Sequence, residues 1–300
     1  MIFNKRYSIL IVLLIILGLQ SCQKSTVEPD GSKYPIIFSS QLTKTVATIS
    51  DIQRDGFKVY GQLKQVVDDT ENTVFTFERD LVYGQSGWDY ENPLYWIPGI
   101  KYSFYAVYPK DEITINNDDK FIVNEYDINS QQDLLVSTVN TDVVDATTLL
   151  PSNSTSVVNF KFDHLLACVV VKVKSEIDGL SINSVKLSGV KDFGNYNGSV
   201  WESTNEATIE YTETTDLMKG SDYIDVTGGG ILVIPGSTNG VQLNLNNNIK
   251  YTANIENPTN WEKGMKYTYT IVIKQNDIIF NEPKVAKWDS DNATGSVIIK

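Results

Sequence analysis

Few residues in this 300-residue chain could do chemistry: one imidazole, His164, two thiols, Cys22 and Cys168, and 37 carboxylates. A single imidazole leaves no second for a histidine-rich metal site, and a histidine-based triad would have to be built around it alone. Two cysteines cannot complete the ligand set of a zinc module. The expectation is therefore no metal and no cofactor. Cys168 sits in an unbroken apolar run, residues 165–171, where a thiol behaves as a small buried hydrophobe. His164, four residues away on the same strand, would project in parallel about 13 Å along it, too far to activate that thiol. His164 itself reads as a core histidine satisfied by backbone or an Asp. Carboxylates are plentiful enough that a glycosidase pair is not excluded by counting. No Gly-x-Ser-x-Gly elbow, phosphate loop or His-Glu-x-x-His motif is present, however. Gly228-Gly229-Gly230 precedes a strand-like run instead of opening a helix, so it reads as a turn. Catalysis is not expected.

Cys22 has a different meaning. Lys5 and Arg6 precede nine uninterrupted apolar residues, 9–17, and then come Gly18-Leu19-Gln20-Ser21-Cys22. Such a run spans about half of a ~30 Å hydrocarbon core, which fits a signal peptide and not a membrane span. Leu19, Ser21 and Cys22 resemble a bacterial lipobox, with Gln20 a departure at its −2 position. The expectation is cleavage between Ser21 and Cys22 and acylation of Cys22, which would tie a soluble chain to a membrane. Removing residues 1–21 deletes two bases and no acid, so 23 − 37 gives −14 for the remaining 279 residues, against −12 for the whole chain. That charge argues against nucleic acid as a partner.

The elements that carry these residues must be strands. Thr, Val and Ile number 25, 29 and 29, Tyr adds 16, and Ala appears 8 times; β-branched and aromatic side chains suit a pleated surface, and scarce Ala removes the best helix former. Residues 22–34 are polar and aperiodic and read as a tether. Strand-like runs follow at 36–38, 57–60, 73–77, 102–108, 121–123 and 134–139, and after a Pro- and Ser-containing gap at 157–162, 165–173, 181–187, 208–211, 231–234, 241–245, 251–255, 267–273 and 297–299. No segment has a helical period and no fixed-period repeat appears. The length suits two all-β sandwich domains, 35–153 and 154–300, after a signal peptide 1–21 and the tether.

Several segments, in order, resemble the fimbrillin superfamily of Bacteroidota, the type V pilus subunits, especially its Mfa-like branch. They are Tyr95-Trp96-Ile97-Pro98 followed by a strand ending Tyr108-Pro109; Gln132-Asp133-Leu134-Leu135; Phe162-Asp163-His164-Leu165; Ile231-Leu232-Val233-Ile234-Pro235; and Trp261-x-x-Gly264-x-x-Tyr267-Thr268-Tyr269 with Trp288 beyond. The resemblance implies two transthyretin-like antiparallel β-sandwiches in tandem, export as an outer-membrane lipoprotein, and a structural or adhesive role as stalk, tip or anchor of a surface pilus. It also implies assembly with other pilus subunits by strand addition after a protease cuts near the first strand. On that basis Ile36, Ile37 and Phe38 are the candidate exchanged strand, Lys44 the candidate cleavage site with Arg54 as runner-up, and Val297, Ile298 and Ile299 a candidate donor strand. A host or bacterial surface ligand would suit a tip. The alternative is a surface glycan-binding lipoprotein, with Trp88, Tyr90, Tyr95 and Trp96 supplying faces for sugar stacking.

Overall fold

The computed structural model describes residues 34–41, 49–151, 157–203, 205–236, 240–246, 250–253, 260–275 and 277–288. Ser21, Cys22, Lys44, Val297, Ile298 and Ile299 lie outside them. Alternating burial organises the first half. Strand β1 (Ile37–Gln41) and helix α1 (Ile49–Asp55) precede a long hairpin, β2 (Phe57–Val67) and β3 (Thr70–Gly84). Asp68 and Asp69 both have positive φ, 50° and 60°, the conformation whose twist suits a two-residue hairpin turn. Along β2 the side chains of Phe57, Val59 and Leu63 point into the core. Gly61 belongs to the same face, and a Cβ there would stand 1.9 Å from the Phe77 ring. Strands β4 (Gly87–Asp89), β5 (Ile100–Tyr108), β6 (Ile113–Ile115), β7 (Phe121–Asp127) and β8 (Leu135–Asn140) complete this half.

The second half contains β9 (Val157–Lys161), β10 (Asp163–His164), β11 (Ala167–Ser175), β12 (Leu180–Lys191), β13 (Phe193–Tyr196), β14 (Trp201–Glu202) and β15 (Glu206–Tyr211). It continues through β16 (Thr215–Leu217), β17 (Ile224–Asp225), β18 (Ile231–Val233), β19 (Gly240–Leu245), β20 (Lys250–Ala253), β21 (Met265–Lys274) and β22 (Asp277–Lys287). A six-stranded sheet, β10-β8-β5-β2-β3-β4, forms one wall of the first core, and the parallel pair β1-β9 lies among the elements that cover it. The second core lies between β17-β11-β21-β22, with β18 added on β11, and β15-β12-β19-β20, with β16 added on β12. The all-β expectation therefore holds. The sheet β14-β13-β7-β6 joins β7 of the first half to β13 of the second.

Two hydrophobic clusters result, and the chain does not divide them cleanly. Val158, Phe160 and Phe162 pack in the first cluster, with Phe38, Phe57 and Trp96. Val107, Val123, Tyr126 and Val136 from the first half pack in the second. Strand β5 is buried on both faces for this reason: Tyr102, Phe104, Ala106 and Tyr108 look into the first core, while Val107 faces the second. A strand covered on both faces reads as a near-continuous apolar run, as residues 102–108 do.

Each half also holds the same seven-residue turn, Trp96-Ile97-Pro98-Gly99-Ile100-Lys101-Tyr102 and Trp261-Glu262-Lys263-Gly264-Met265-Lys266-Tyr267. In the first, the Tyr102 hydroxyl donates to Tyr95 O (3.1 Å) and accepts from Ile97 N (3.0 Å). In the second, the Tyr267 hydroxyl donates to Asn260 O (3.1 Å) and accepts from Glu262 N (2.9 Å). Both hydroxyls thus bridge the residues on either side of a buried tryptophan, satisfying main-chain groups that the turn would otherwise leave orphaned. Gly99 and Gly264 take φ of 78° and 71°, the left-handed region where glycine is favoured.

Two elements differ from expectation. Helix α1 is a short α-helix where none is legible; it offers the core Ile52 and ends at Gly56, whose N–H bonds Ile52 O (2.8 Å), too short a segment to show a period. Strand β22 runs through Pro283, and its register on β21 skips from Asn281 to Lys284. A bulge on a sheet edge is where proline is tolerated, and it hides the strand's alternation. Tyr102→Phe and Tyr267→Phe should each destabilise the fold by about 1–3 kcal/mol, because each strands a donor and an acceptor at a buried turn. Urea unfolding of the two single variants checks this, and similar losses are expected from both halves.

Candidate functional site

The first strand has the most specific surroundings in the first core. Ile36 and Phe38 are buried while Ile37 between them is 46 % exposed, the alternation of a strand lying on a core. One edge of β1 pairs in parallel with β9, from Ile37 opposite Val157 to Gln41 opposite Lys161, and Ser39 Oγ donates to Asn159 Oδ1 at 3.0 Å. On the other side the main chain is tied at its beginning, where Ile36 N donates to Leu94 O (2.8 Å) and Trp96 N to Tyr34 O (3.1 Å). Side chains complete the attachment. The Tyr90 hydroxyl donates to Ile36 O at 2.7 Å and accepts from Leu94 N, and Trp88 Nε1 donates to Ser40 Oγ at 3.0 Å.

Aromatic rings form the pocket of Phe38. Its centroid lies 5.2 Å from Tyr90, 5.6 Å from Phe104 and 5.7 Å from Phe160, within the range where ring pairs attract beyond simple area burial. Trp88 stands edge-on to Phe57 at 4.6 Å and to Tyr83 at 5.0 Å. Trp88 and Tyr90 thus point their ring edges and polar atoms at β1 and its neighbours, and Trp96 is buried. Tyr95, the fourth of the candidate stacking rings, is 37 % exposed. Burial raises the Tyr90 hydroxyl above its ordinary pKa, which keeps it a neutral donor to Ile36.

Arg54 lies in α1 with its guanidinium held on Asp55 (Nε and Nη2, both 2.7 Å) and on Asp51 (2.9 Å). The Arg54 hydrogen bonds hold the Asp55 carboxyl below its usual range, and the same carboxyl accepts from the Tyr108 hydroxyl. A protease that reads an extended peptide would need this helix unwound before cutting after Arg54.

His164 is buried against an Asp: Nδ1 lies 2.8 Å from Asp133 Oδ2, with both side chains 1 % exposed. Trp288 stacks on the imidazole, centroids 3.9 Å apart and planes 12° from parallel. Three segments distant in sequence, around 133, 164 and 288, therefore meet at one point. Cys168 is also buried, with Sγ 3.8 Å from Gly229 O. Desolvation pushes its thiol up to about 12. Gly228, Gly229 and Gly230 all have positive φ, and a Cβ on Gly230 would stand 2.3 Å from that sulfur. The glycine run is a turn packed on the core, not a phosphate cradle.

A family model described as fimbrillin-like matches residues 44–288. The chain belongs to the fimbrillin-like family. Solved structures share its fold: a fimbrial protein from Bacteroides vulgatus, 16 % identical, with 85 % of this chain and 99 % of that chain covered and a TM-score of 0.60. A candidate cell adhesion protein from Bacteroides ovatus aligns over 87 % of this chain and 99 % of its own at 14 % identity and a TM-score of 0.55. Another from Bacteroides uniformis covers 87 % and 100 % at 16 % identity, with a TM-score of 0.53. No curated protein matches the sequence. Among the described residues of this fimbrillin-like chain, no helix is long and apolar enough to cross a membrane, and no cluster of three or more His, Cys, Asp or Glu is arranged to hold a metal.

For the buried thiol, the raised folded pKa means that the unfolded chain loses its proton first as pH rises from about 9. The Cys168 contribution to stability is therefore complete below pH 9 and is lost as pH climbs toward 12. Native protein at pH 8 should leave Cys168 unmodified by a thiol reagent such as DTNB, while urea-unfolded protein should react fully. Absorbance of the released thiolate, with mass spectrometry assigning the labelled cysteine, provides the measurement.

Proposed function

We propose that this fimbrillin-like chain is a structural or adhesive pilus subunit, exported as a lipoprotein through Cys22 and joined to neighbouring subunits by exchange of the first strand. The observation that carries this reading is the seating of β1. It inserts Phe38 into a pocket built from other parts of the chain, with Ile36, just before the strand, buried beside it. Withdrawal of β1 would expose a strand edge on β9 and an apolar groove at once. An open edge beside alternating pockets is what β-augmentation uses. Cleavage after Lys44 would free the strand from the hairpin that follows it. Arg54, its guanidinium bonded to Asp55 and Asp51 within α1, is the alternative. The same reading keeps the N-terminal domain at 35–153 and the C-terminal domain at 154–300, with β9 crossing from the second into the first core.

A donor strand would come from another fimbrillin-type subunit, and Val297, Ile298 and Ile299 are this chain's own candidate. The lipid on Cys22 would hold the uncut form at the outer membrane, and cutting would separate the pilus-borne form from it. The role is mechanical, not enzymatic. The glycan-binding alternative at Trp88 and Tyr90 is disfavoured by the use of both rings to hold β1.

N-terminal sequencing of the chain from sheared pili and from outer membrane tests the exchange. A pilus-borne terminus at Thr45, with acylated Cys22 confined to the membrane fraction, is expected; an intact lipidated Cys22 in both would sink the exchange and leave an anchor. Before cutting, Phe38→Ala should lower the stability of the chain by about 3–5 kcal/mol, as removal of a buried ring does, measured by chemical unfolding.

A further inference from the structure

A cleft of about 640 Å³ opens between the two halves, above the His164–Asp133–Trp288 stack. Its size falls within the range of small-molecule sites, and junctions between structural units are where such sites concentrate. The charge of its walls runs against that of the protein. The chain as a whole carries 25 bases and 37 acids, yet among the described residues Lys161, Lys263 and Lys287 line this cleft beside one acid, Asp163. Lys263 is positioned: its Nζ donates to the Tyr196 hydroxyl at 2.6 Å and stands 5.1 Å from the centre of the same ring. Phe121 and Met265, both half-buried, add apolar surface to the lining.

We infer that this cleft binds an anionic sugar, its carboxylate or sulfate drawn to the lysines and the flat face of its ring set against Phe121 and Met265. A site with both cationic points and apolar wall matches a ligand with both a charge and an apolar face. An extended acidic peptide fits less well, because the main chain around the cleft is already bonded. Asp163 and His164 pair with Val136 and Leu135. Leu165 N donates to Leu134 O, and Gly264 N to Leu166 O. A ligand here must be held by side chains, not by adding a strand. This inference does not rest on strand exchange: no described residue of β1 lines the cleft, and of its lining only Lys161 pairs with β1.

Isothermal titration of the full chain with trigalacturonate, galactose 6-sulfate, neutral galactotriose, acetate and tetraglutamate tests it. One of the two anionic sugars should bind, and the one that does identifies the acid group. Galactotriose should bind at least about tenfold more weakly, and raising the salt should weaken the anionic sugar further. Lys263→Ala and Lys161→Ala should each reduce that affinity about tenfold, while Lys219→Ala, whose ammonium lies 3.7 Å from Asp178 instead, should not. Amine labelling followed by mass spectrometry should show Lys263 protected by the bound sugar. The inference is overturned if neither anionic sugar binds, if galactotriose or acetate matches them, if tetraglutamate binds more tightly than either, or if Lys263 stays unprotected at saturation.

Discussion

Two side chains close the first core. Its large sheet has six strands, while β1 and β9 make only a pair on the other side, so Ile36 and Phe38 must fill what a fuller second sheet would otherwise cover. Burying two such side chains contributes about 3–6 kcal/mol, a large share of the 5–15 kcal/mol by which a typical domain is stable. The attachment is strong enough to finish the fold. It is also local, consisting of one parallel ladder, a few hydrogen bonds and one pocket of rings. A strand held in this way is structurally necessary but chemically anonymous: another strand with the same alternation would satisfy the same groups.

The rest of the molecule packs the walls around β1 from both halves. Strand β5 carries Phe104 toward Phe38 and Val107 toward the second core, so the wall of the groove is backed by packing from both halves. The turn that leads into β5 is fixed by the Tyr102 hydroxyl, and the corresponding turn before β21 by that of Tyr267. Beside them, the Asp133–His164 contact under Trp288 ties the end of the first half to the end of the second. Removing β1 would therefore open a groove whose other walls have independent support.

The aromatic and histidine landmarks were legible because burial constrains them strongly: Trp96, Trp261, Trp288 and His164 all lie in the interior. The apolar runs at 102–108 and 165–171 announced strands buried on both faces. The runs at 36–38 and 157–162 could be read as strands, but not as partners, since a parallel ladder between β1 and β9 is set by tertiary packing and leaves no local signal. Short strands such as β10 and β14 exist because a neighbour pairs with them, and β22 is disguised by its proline bulge. The paired Trp-to-Tyr turns escaped a search for fixed periods because two copies, at 96–102 and 261–267, establish no period. Their equivalence is visible only in the matching hydrogen bonds. The lysine cleft was equally hidden, since Lys161, Lys263 and Lys287 are far apart in sequence and come to line one cleft only through tertiary packing.

The pocket of Phe38 also constrains what could take its place. Tyr90, Phe104 and Phe160 surround a space the size of a phenyl ring, two residues along the strand from the site of Ile36. An incoming strand that supplied a smaller side chain there would leave a cavity, and cavities in a core cost stability in proportion to their volume. The candidate donor residues of this chain, Val297 and Ile299, have the right spacing but no ring. Another copy of this chain would therefore fill the groove less completely than a strand bearing a branched aliphatic residue and, two positions later, an aromatic one.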